Sequence, residues 1–217
     1  KILSHFNIEK KVFSYHKFNE KKMSSKIIEF IKENKVVSLI SDAGTPTISD
    51  PGLMLVKECI EKKLNIYPVP GPSAVTSAIS VSGFSGEYLF YGFLDKKENE
   101  IEKELKNISK INFSLIFFIP ALKINFFIIK FKKYFFDRKI VIAKEMTKIH
   151  EEFIRGSVDK IESFSNNLKG ELTVVLSKKI EEKKNRKEID ESVKIEIKKM
   201  LKKYSHKDVT EFIAKKE

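Results

Sequence analysis

Cysteine occurs once, at Cys59, in a chain of 217 residues. One thiol excludes a disulfide framework within the chain, which suits a reducing cytoplasm. Cys59 lies in an apolar helical pattern and reads as a small buried hydrophobe rather than a reactive group. No Cys/His cluster exists, and His16 and His150 stand alone, so the expectation is no metal site. Tryptophan is absent, and the heavy use of Lys, Ile, Asn and Phe points to an AT-biased genome. Long hydrophobic runs are also lacking. The longest covers 115–122 and stops at Lys123, far short of the roughly 20 residues that span a bilayer. No signal-peptide pattern is present. The Phe/Ile-rich stretch 124–136 carries Lys130, Lys132 and Lys133. It reads as a helix facing a core rather than one lying in a membrane interface.

Charge is plentiful and uneven. The net charge is +12. Residues 96–139 hold 11 Lys/Arg against 5 acids, a surplus of 6, and residues 178–217 hold 14 against 9, a surplus of 5. Two basic blocks suit a polyanion partner, because neutralised phosphates release condensed counterions. Solvated helix faces in a lysine-rich chain account for the same numbers equally well.

The hydrophobic pattern predicts alternating strands and helices. Strands are expected at 12–15, 36–40, 65–69, 88–91, 113–119, 140–144 and 172–176. Helices are expected after 20, where Met23, Ile27, Phe30 and Ile31 share a face and Asn34 ends it. Another follows 52, with Leu53, Val56 and Ile60 as its buried stripe. Further helices are expected at 74–82, 97–110, 121–135 and 158–164. One or two exposed helices follow Lys178. Such alternation implies a parallel α/β sheet. A Gly/Ser-rich joint at 83–86 marks a boundary. The expected domains are therefore 1–84, 85–178 and a basic helical tail at 179–217.

Two loops carry a ligand-site pattern. Ser41-Asp42-Ala43-Gly44-Thr45-Pro46-Thr47-Ile48-Ser49-Asp50-Pro51-Gly52 follows an apolar run and precedes a helix. Ala43 and Gly44 let backbone approach a ligand closely, and Asp50 with Pro51 is expected to cap the helix. Pro70-Gly71-Pro72-Ser73-Ala74 is a second turn at a strand end, with Ser73 as the expected cap. In open α/β sheets such loops line a shared crevice.

Together these segments resemble the tetrapyrrole methylase superfamily, and within it the bacterial enzymes that 2′-O-methylate a cytidine of 16S ribosomal RNA. Further stretches agree: Tyr15-His16-Lys17-Phe18-Asn19-Glu20, Tyr91-Gly92-Phe93-Leu94, Ala143-Lys144-Glu145-Met146-Thr147-Lys148, His150-Glu151-Glu152 and Gly170-Glu171-Leu172. The resemblance runs from Ile2 to about Ile213. It implies an α/β fold of two unlike domains with S-adenosylmethionine in the cleft between them, and a homodimer. It implies cofactor contacts at Ala43, Gly44, Thr45 and Ile48, at Ser73 and Ala74, at Phe118 or Ile119, and at Met146. It also implies 16S rRNA or the small subunit as partner, with neither DNA nor membrane involved.

The sequence departs from the family in three places. Ile119, Leu122 and Lys123 stand where an acidic residue, His and Arg are usual. Lys144 replaces an Arg, losing bidentate phosphate recognition. The family's first strand, its Pro-Ile-Gly-Asn loop and a Glu-Asp-Thr-Arg segment are expected ahead of Lys1.

A ribose hydroxyl is a poor nucleophile at neutral pH, so a base or nearby cation helps. Glu145 is the first candidate base and Asp50 the second, with Lys144 or Lys148 to lower the hydroxyl pKa or hold a phosphate. A purely structural role for Glu145, paired with a lysine, has equal standing. Two other functions stay open: a methyltransferase for a porphyrin-type small molecule, and a non-catalytic RNA-binding remnant.

Overall fold

The structure is a computed structural model that describes residues 2–84, 86–94, 97–166, 168–180 and 191–216. Residues 1–179 form one compact unit and 180–217 a second. The first unit has a mixed α/β fold. Its helices are α1 (Ile2–His5), α2 (Glu20–Lys32), α3 (Leu53–Glu61), α4 (Ala74–Ser80), α5 (Glu98–Ile108) and α6 (Ile124–Phe135). Its strands are β1 (Tyr88–Gly92), β2 (Ser114–Pro120), β3 (Lys139–Lys144), β4 (Glu152–Ser157) and β5 (Glu171–Leu176).

The strands make one sheet in the order β1-β2-β5-β3-β4. Alternation along the central strands sorts side chains onto two faces. Leu115, Phe117 and Ile119 of β2 point to one face, where α5 delivers Ile101, Leu105 and Ile108. Helix α6 adds Ile124, Phe127, Ile128, Phe131 and Phe135 to that core. The Phe/Ile-rich stretch is thus a core helix, as expected from sequence, with its lysines on the outer side. On the other face Ile116, Val141, Ala143 and Val175 meet Val75 and Ala78 of α4. A smaller core joins α2 to α3 through Ile27, Ile28, Leu55 and Cys59. Cys59 is buried as expected.

The outer side of α6 is tied to α5 by charge. Lys130 Nζ donates to Glu98 and Glu102 at 2.6 Å each, Lys133 Nζ to Glu102 at 2.8 Å, and the Tyr134 hydroxyl also bonds Glu102. Hydrogen bonds from Lys130, Lys133 and Tyr134 hold the Glu102 carboxyl down at about 2. A carboxyl depressed on folding adds stability above its unfolded value, near 4.3, and loses it as pH falls toward the folded value. The melting temperature should therefore drop between about pH 4.5 and 2, and Glu102→Gln should flatten that part of the profile. An unchanged profile in the variant would show that the cluster contributes nothing to acid sensitivity.

Several expectations are corrected. Stretches 12–15, 36–40 and 65–69 form no strand: they carry no ladder, and Val36, Ile40, Tyr67 and Val69 are exposed. An apolar run becomes a strand only when a neighbour accepts its backbone bonds. The sheet is not parallel throughout. Only β1 and β2 run parallel, while β5 lies between β2 and β3, antiparallel to both. Strand β4 was not anticipated, because Glu-Phe-Ile-Arg-Gly-Ser alternates poorly. It pairs with β3 across a hairpin. The helix expected at 158–164 is a single turn in which Lys160 and Ile161 both donate to the Ser157 carbonyl. Helix α3 begins at Leu53 with Gly52 at its N-cap and no side-chain cap bond, so neither Asp50 nor Pro51 plays its expected part. The buried stripe of α3 is Leu55 and Cys59, with Leu53 and Ile60 exposed. Ser73 does occupy the N-cap of α4, but its hydroxyl makes no cap bond.

In the second unit the described helices are α7 (Glu191–Met200) and α8 (His206–Lys216). Ser205 begins α8 with a reciprocal pair: its hydroxyl donates to Asp208 at 2.7 Å and accepts the Asp208 amide at 3.3 Å. The second of these is an N-cap bond, which satisfies one of the free amides at the helix start. The part of the expected tail at 181–190 lies outside the described residues.

Candidate functional site

The 41–52 loop is held from several sides. Ser41 Oγ donates toward the carbonyls of Ala43 at 3.2 Å and Gly44 at 3.0 Å. Gly44 has φ 73, while Thr47 at φ 71 and Ser49 at φ 62 take the same left-handed conformation without being glycine. Non-glycine residues in that region store strain and cluster at functional loops. Thr45 Oγ1 donates to the Pro72 carbonyl at 3.3 Å, joining this loop to the 70–74 turn. At the far end, the Gly52 amide donates to Glu20 Oε1 at 2.9 Å. Glu20 is itself set by a turn in which Asn19 accepts the His16 amide at 2.8 Å and donates to the Ser14 carbonyl at 3.0 Å. The Tyr-His-x-x-Asn-Glu segment thus fastens the end of the 41–52 loop.

The loop meets the end of the sheet. A Cβ placed on Gly92, where β1 ends, would stand 3.1 Å from Ser49 Oγ. Phe118 of β2 packs against Phe90 with ring centroids 5.0 Å apart and against Phe93 at 5.4 Å. Phe118 and Met146 are half-buried against the α4 face of the sheet. Ile119 turns the other way, into the core beneath α5 and α6. Its side chain is therefore unavailable to the face that carries Phe118. Ala43, Gly44, Thr45 and Ile48 are exposed, and Ser73 and Ala74 are half-buried.

A family model described as "Tetrapyrrole (Corrin/Porphyrin) Methylases" matches residues 3–162. The chain belongs to the tetrapyrrole (corrin/porphyrin) methylases. Among curated proteins it is similar to "Ribosomal RNA small subunit methyltransferase I" of Thermotoga maritima. They are 41% identical over 181 residues, covering 82% of this chain and 81% of that protein. The protein of the same name in Mesomycoplasma conjunctivae is 39% identical over 187 residues, covering 85% of this chain and 77% of the relative. Among solved structures, the methyltransferase CobJ aligns with a TM-score of 0.55 at 18% identity, covering 71% of this chain and 70% of CobJ. Cobalt precorrin-4 methyltransferase CbiF aligns with a TM-score of 0.52 at 12% identity, covering 72% of this chain and 70% of CbiF. Those two likenesses bear on the fold.

In this methylase, the Lys144-Glu145-Met146-Thr147-Lys148 segment is a self-paired hairpin. Lys144 Nζ bonds Glu152 at 3.0 Å. Glu145 Oε1 accepts the Glu171 amide at 2.8 Å and Lys148 Nζ at 3.1 Å. Lys148 also reaches Glu171 at 3.1 Å, and Glu151 accepts the Thr147 amide at 2.7 Å. The backbone bond from Glu171 and the bond from Lys148 hold the Glu145 carboxyl below its ordinary value. A carboxylate so engaged is a weak proton acceptor. Asp50 differs: partial burial, and the charge of Asp42 beside it, push its carboxyl up. Glu20 holds Gly52 from 32 positions away, so no local pattern signals that bond, and the acceptor role of Glu151 depends on the turn that brings the Thr147 amide to it. Among the described residues no group of three His, Cys, Asp or Glu side chains is placed to hold a metal ion. No described helix is long and apolar enough to cross a membrane.

Proposed function

We propose that this chain transfers a methyl group from S-adenosylmethionine to a ribose 2′-hydroxyl of a cytidine in small-subunit rRNA. The observation that carries this is 41% identity to an rRNA small subunit methyltransferase across 82% of the chain, against 18% identity to CobJ. Residues 1–84 and 85–178 act as the two walls of a cofactor cleft, and the 179–217 tail adds basic surface. The working protein is a cytoplasmic homodimer.

The residues present suit the cofactor. A Cβ on Gly44 would find only the Pro72 carbonyl, at 3.8 Å, so the space beside that backbone is open. Ala43, Gly44, Thr45 and Ile48 would hold the cofactor on one side and Ser73 and Ala74 on the other. Phe118 and Met146 would supply the apolar floor, with Ile119 contributing backbone only. When bound, the cofactor supplies a methyl group already activated on a sulfonium. The chain's own contribution is to orient the ribose and take its proton. Asp50 is the better acceptor, because its raised pKa lies closer to neutrality. Glu145, Lys144 and Lys148 position the hairpin.

Calorimetric titration should detect S-adenosylmethionine binding to this chain. Gly44→Asn, a side chain that tolerates φ near +70°, should weaken that binding at least tenfold. Undiminished affinity would remove the loop from the cofactor site. Asp50→Asn should lower kcat by roughly 10²–10⁴-fold with cofactor affinity little changed. A variant with full kcat would dismiss Asp50 as base.

A further inference from the structure

We infer that Phe93 is the ring on which the base of the acceptor nucleotide stacks. This rests on the rRNA reading above. Three consecutive residues at the end of β1 meet unlike fates. Gly92 is buried with φ 81, and Leu94 is 9% exposed in the main core. Between them Phe93 is 58% exposed. Anchored on both sides, its ring is held outward. Phe118 packs on it at an interplanar angle of 60°, and Phe90 packs on Phe118 at 64°. The outermost ring therefore stands on a chain of edge-to-face ring contacts rooted in the sheet.

Its place in the fold gives this ring its meaning. A Cβ built on Gly92, the residue before it, would stand 3.1 Å from Ser49 Oγ of the proposed cofactor loop, and Phe118, proposed to line the cofactor, packs on the ring itself. A flat apolar surface thus lies beside the point of methyl delivery. Unpaired bases in RNA loops are splayed onto aromatic side chains, because every base offers a π face. A phenyl ring has no hydrogen-bonding group, so it fixes where the base sits without selecting which base it is. Phosphate recognition by Lys144 or Lys148 would first require breaking their ion pairs. Stacking on Phe93 needs no such rearrangement.

The chain contains no tryptophan, so Phe93→Trp creates a single indole reporter. With S-adenosylhomocysteine saturating, a single-stranded RNA oligonucleotide should quench that fluorescence by half or more. S-adenosylhomocysteine alone should leave it unchanged. Phe93→Ala should raise KM for small-subunit rRNA about tenfold or more, with cofactor Kd within twofold, and Phe93→Tyr should restore KM. Quenching by the nucleoside alone would assign the ring to the cofactor and overturn the proposal. So would an unchanged KM in Phe93→Ala, or an unquenched indole in a variant that still methylates rRNA. Failure of the functional reading shows separately: an unsubstituted chain that binds cofactor but never labels rRNA rejects both.

Discussion

Replacing Arg138 with alanine should destabilise the first unit by about 4 kcal/mol, enough to lower its melting temperature by roughly 10 °C. Arg138 is fully buried, and among the described residues its hydrogen bonds go to no carboxylate. Its guanidinium donates instead to three backbone carbonyls: Phe113 at 2.7 Å, Ser177 at 2.8 Å, and Ile111. Those carbonyls belong to the turn before β2 and the end of β5, so one side chain fastens the lower margin of the sheet. Its ring neighbour Phe135, 5.3 Å from the guanidinium, closes the pocket. Burial pulls the Arg138 pKa down, but guanidinium is so strong a base that it keeps its charge. Alanine would leave one buried and two part-buried acceptors without this donor, at about 1–3 kcal/mol for a buried one and less for the others. Arg138→Met, which keeps most of the volume, separates packing from bonding. If methionine restores most of the stability, the carbonyl bonds matter less than the filled space. Thermal denaturation of the three proteins decides it.

Gly170→Ala should have the second large effect, felt in activity as well as stability. Gly170 sits at φ 92, a conformation that costs an L-residue about 1–3 kcal/mol. A Cβ there would also run into the Glu145 side chain, within 2.7 Å of its Cγ. Glu145 would have to leave the Glu171 amide, and Lys148 would lose one of its two partners. The hairpin carrying Met146 would then lose the Glu145 side-chain clasp, keeping only the Glu145 amide to Glu171 carbonyl bond and the Lys148–Glu171 pair as ties to Glu171. We expect cofactor affinity to fall tenfold or more, together with a lower melting temperature. Glu145→Ala in the Gly170→Ala background should recover part of the melting temperature, because the collision is gone. A double variant no better than Gly170→Ala would place the damage in the backbone conformation alone.

These two residues mark where the sequence could and could not be read. Periodicity located α5 and α6, since Ile101, Leu105, Ile108 and the Ile124 to Phe135 stripe repeat at helical spacing over three turns. The apolar runs of β2, β3 and β5 were equally clear, because strands buried on both faces leave little else. Strand direction was not legible. The insertion of β5 between β2 and β3 depends on pairing across separations from 28 residues (Lys144 with Leu172) to 61 (Leu115 with Leu176), which no local pattern encodes. The apolar stretch 36–40 misled for the opposite reason: its composition suits a strand, but nothing described lies alongside to pair with it. At the site, the glycine-bearing loops stood out by composition. The Glu20 bond to Gly52 spans 32 residues, and the clasp of Glu145 around Glu171 spans 26, so their function was invisible until the fold was known. Arg138 gave no signal beyond being one basic residue in a basic block.

Delivery of the methyl group to rRNA ribose by this methylase-family chain is open to direct test. Purified small ribosomal subunits, incubated with the protein and S-adenosylmethionine carrying a labelled methyl group, provide the direct measurement once their RNA is digested to nucleosides. The predicted result is label in 2′-O-methylcytidine, stoichiometric with subunits and absent without the protein. Label on a base, or label accepted by a tetrapyrrole substrate while rRNA takes none, would contradict it.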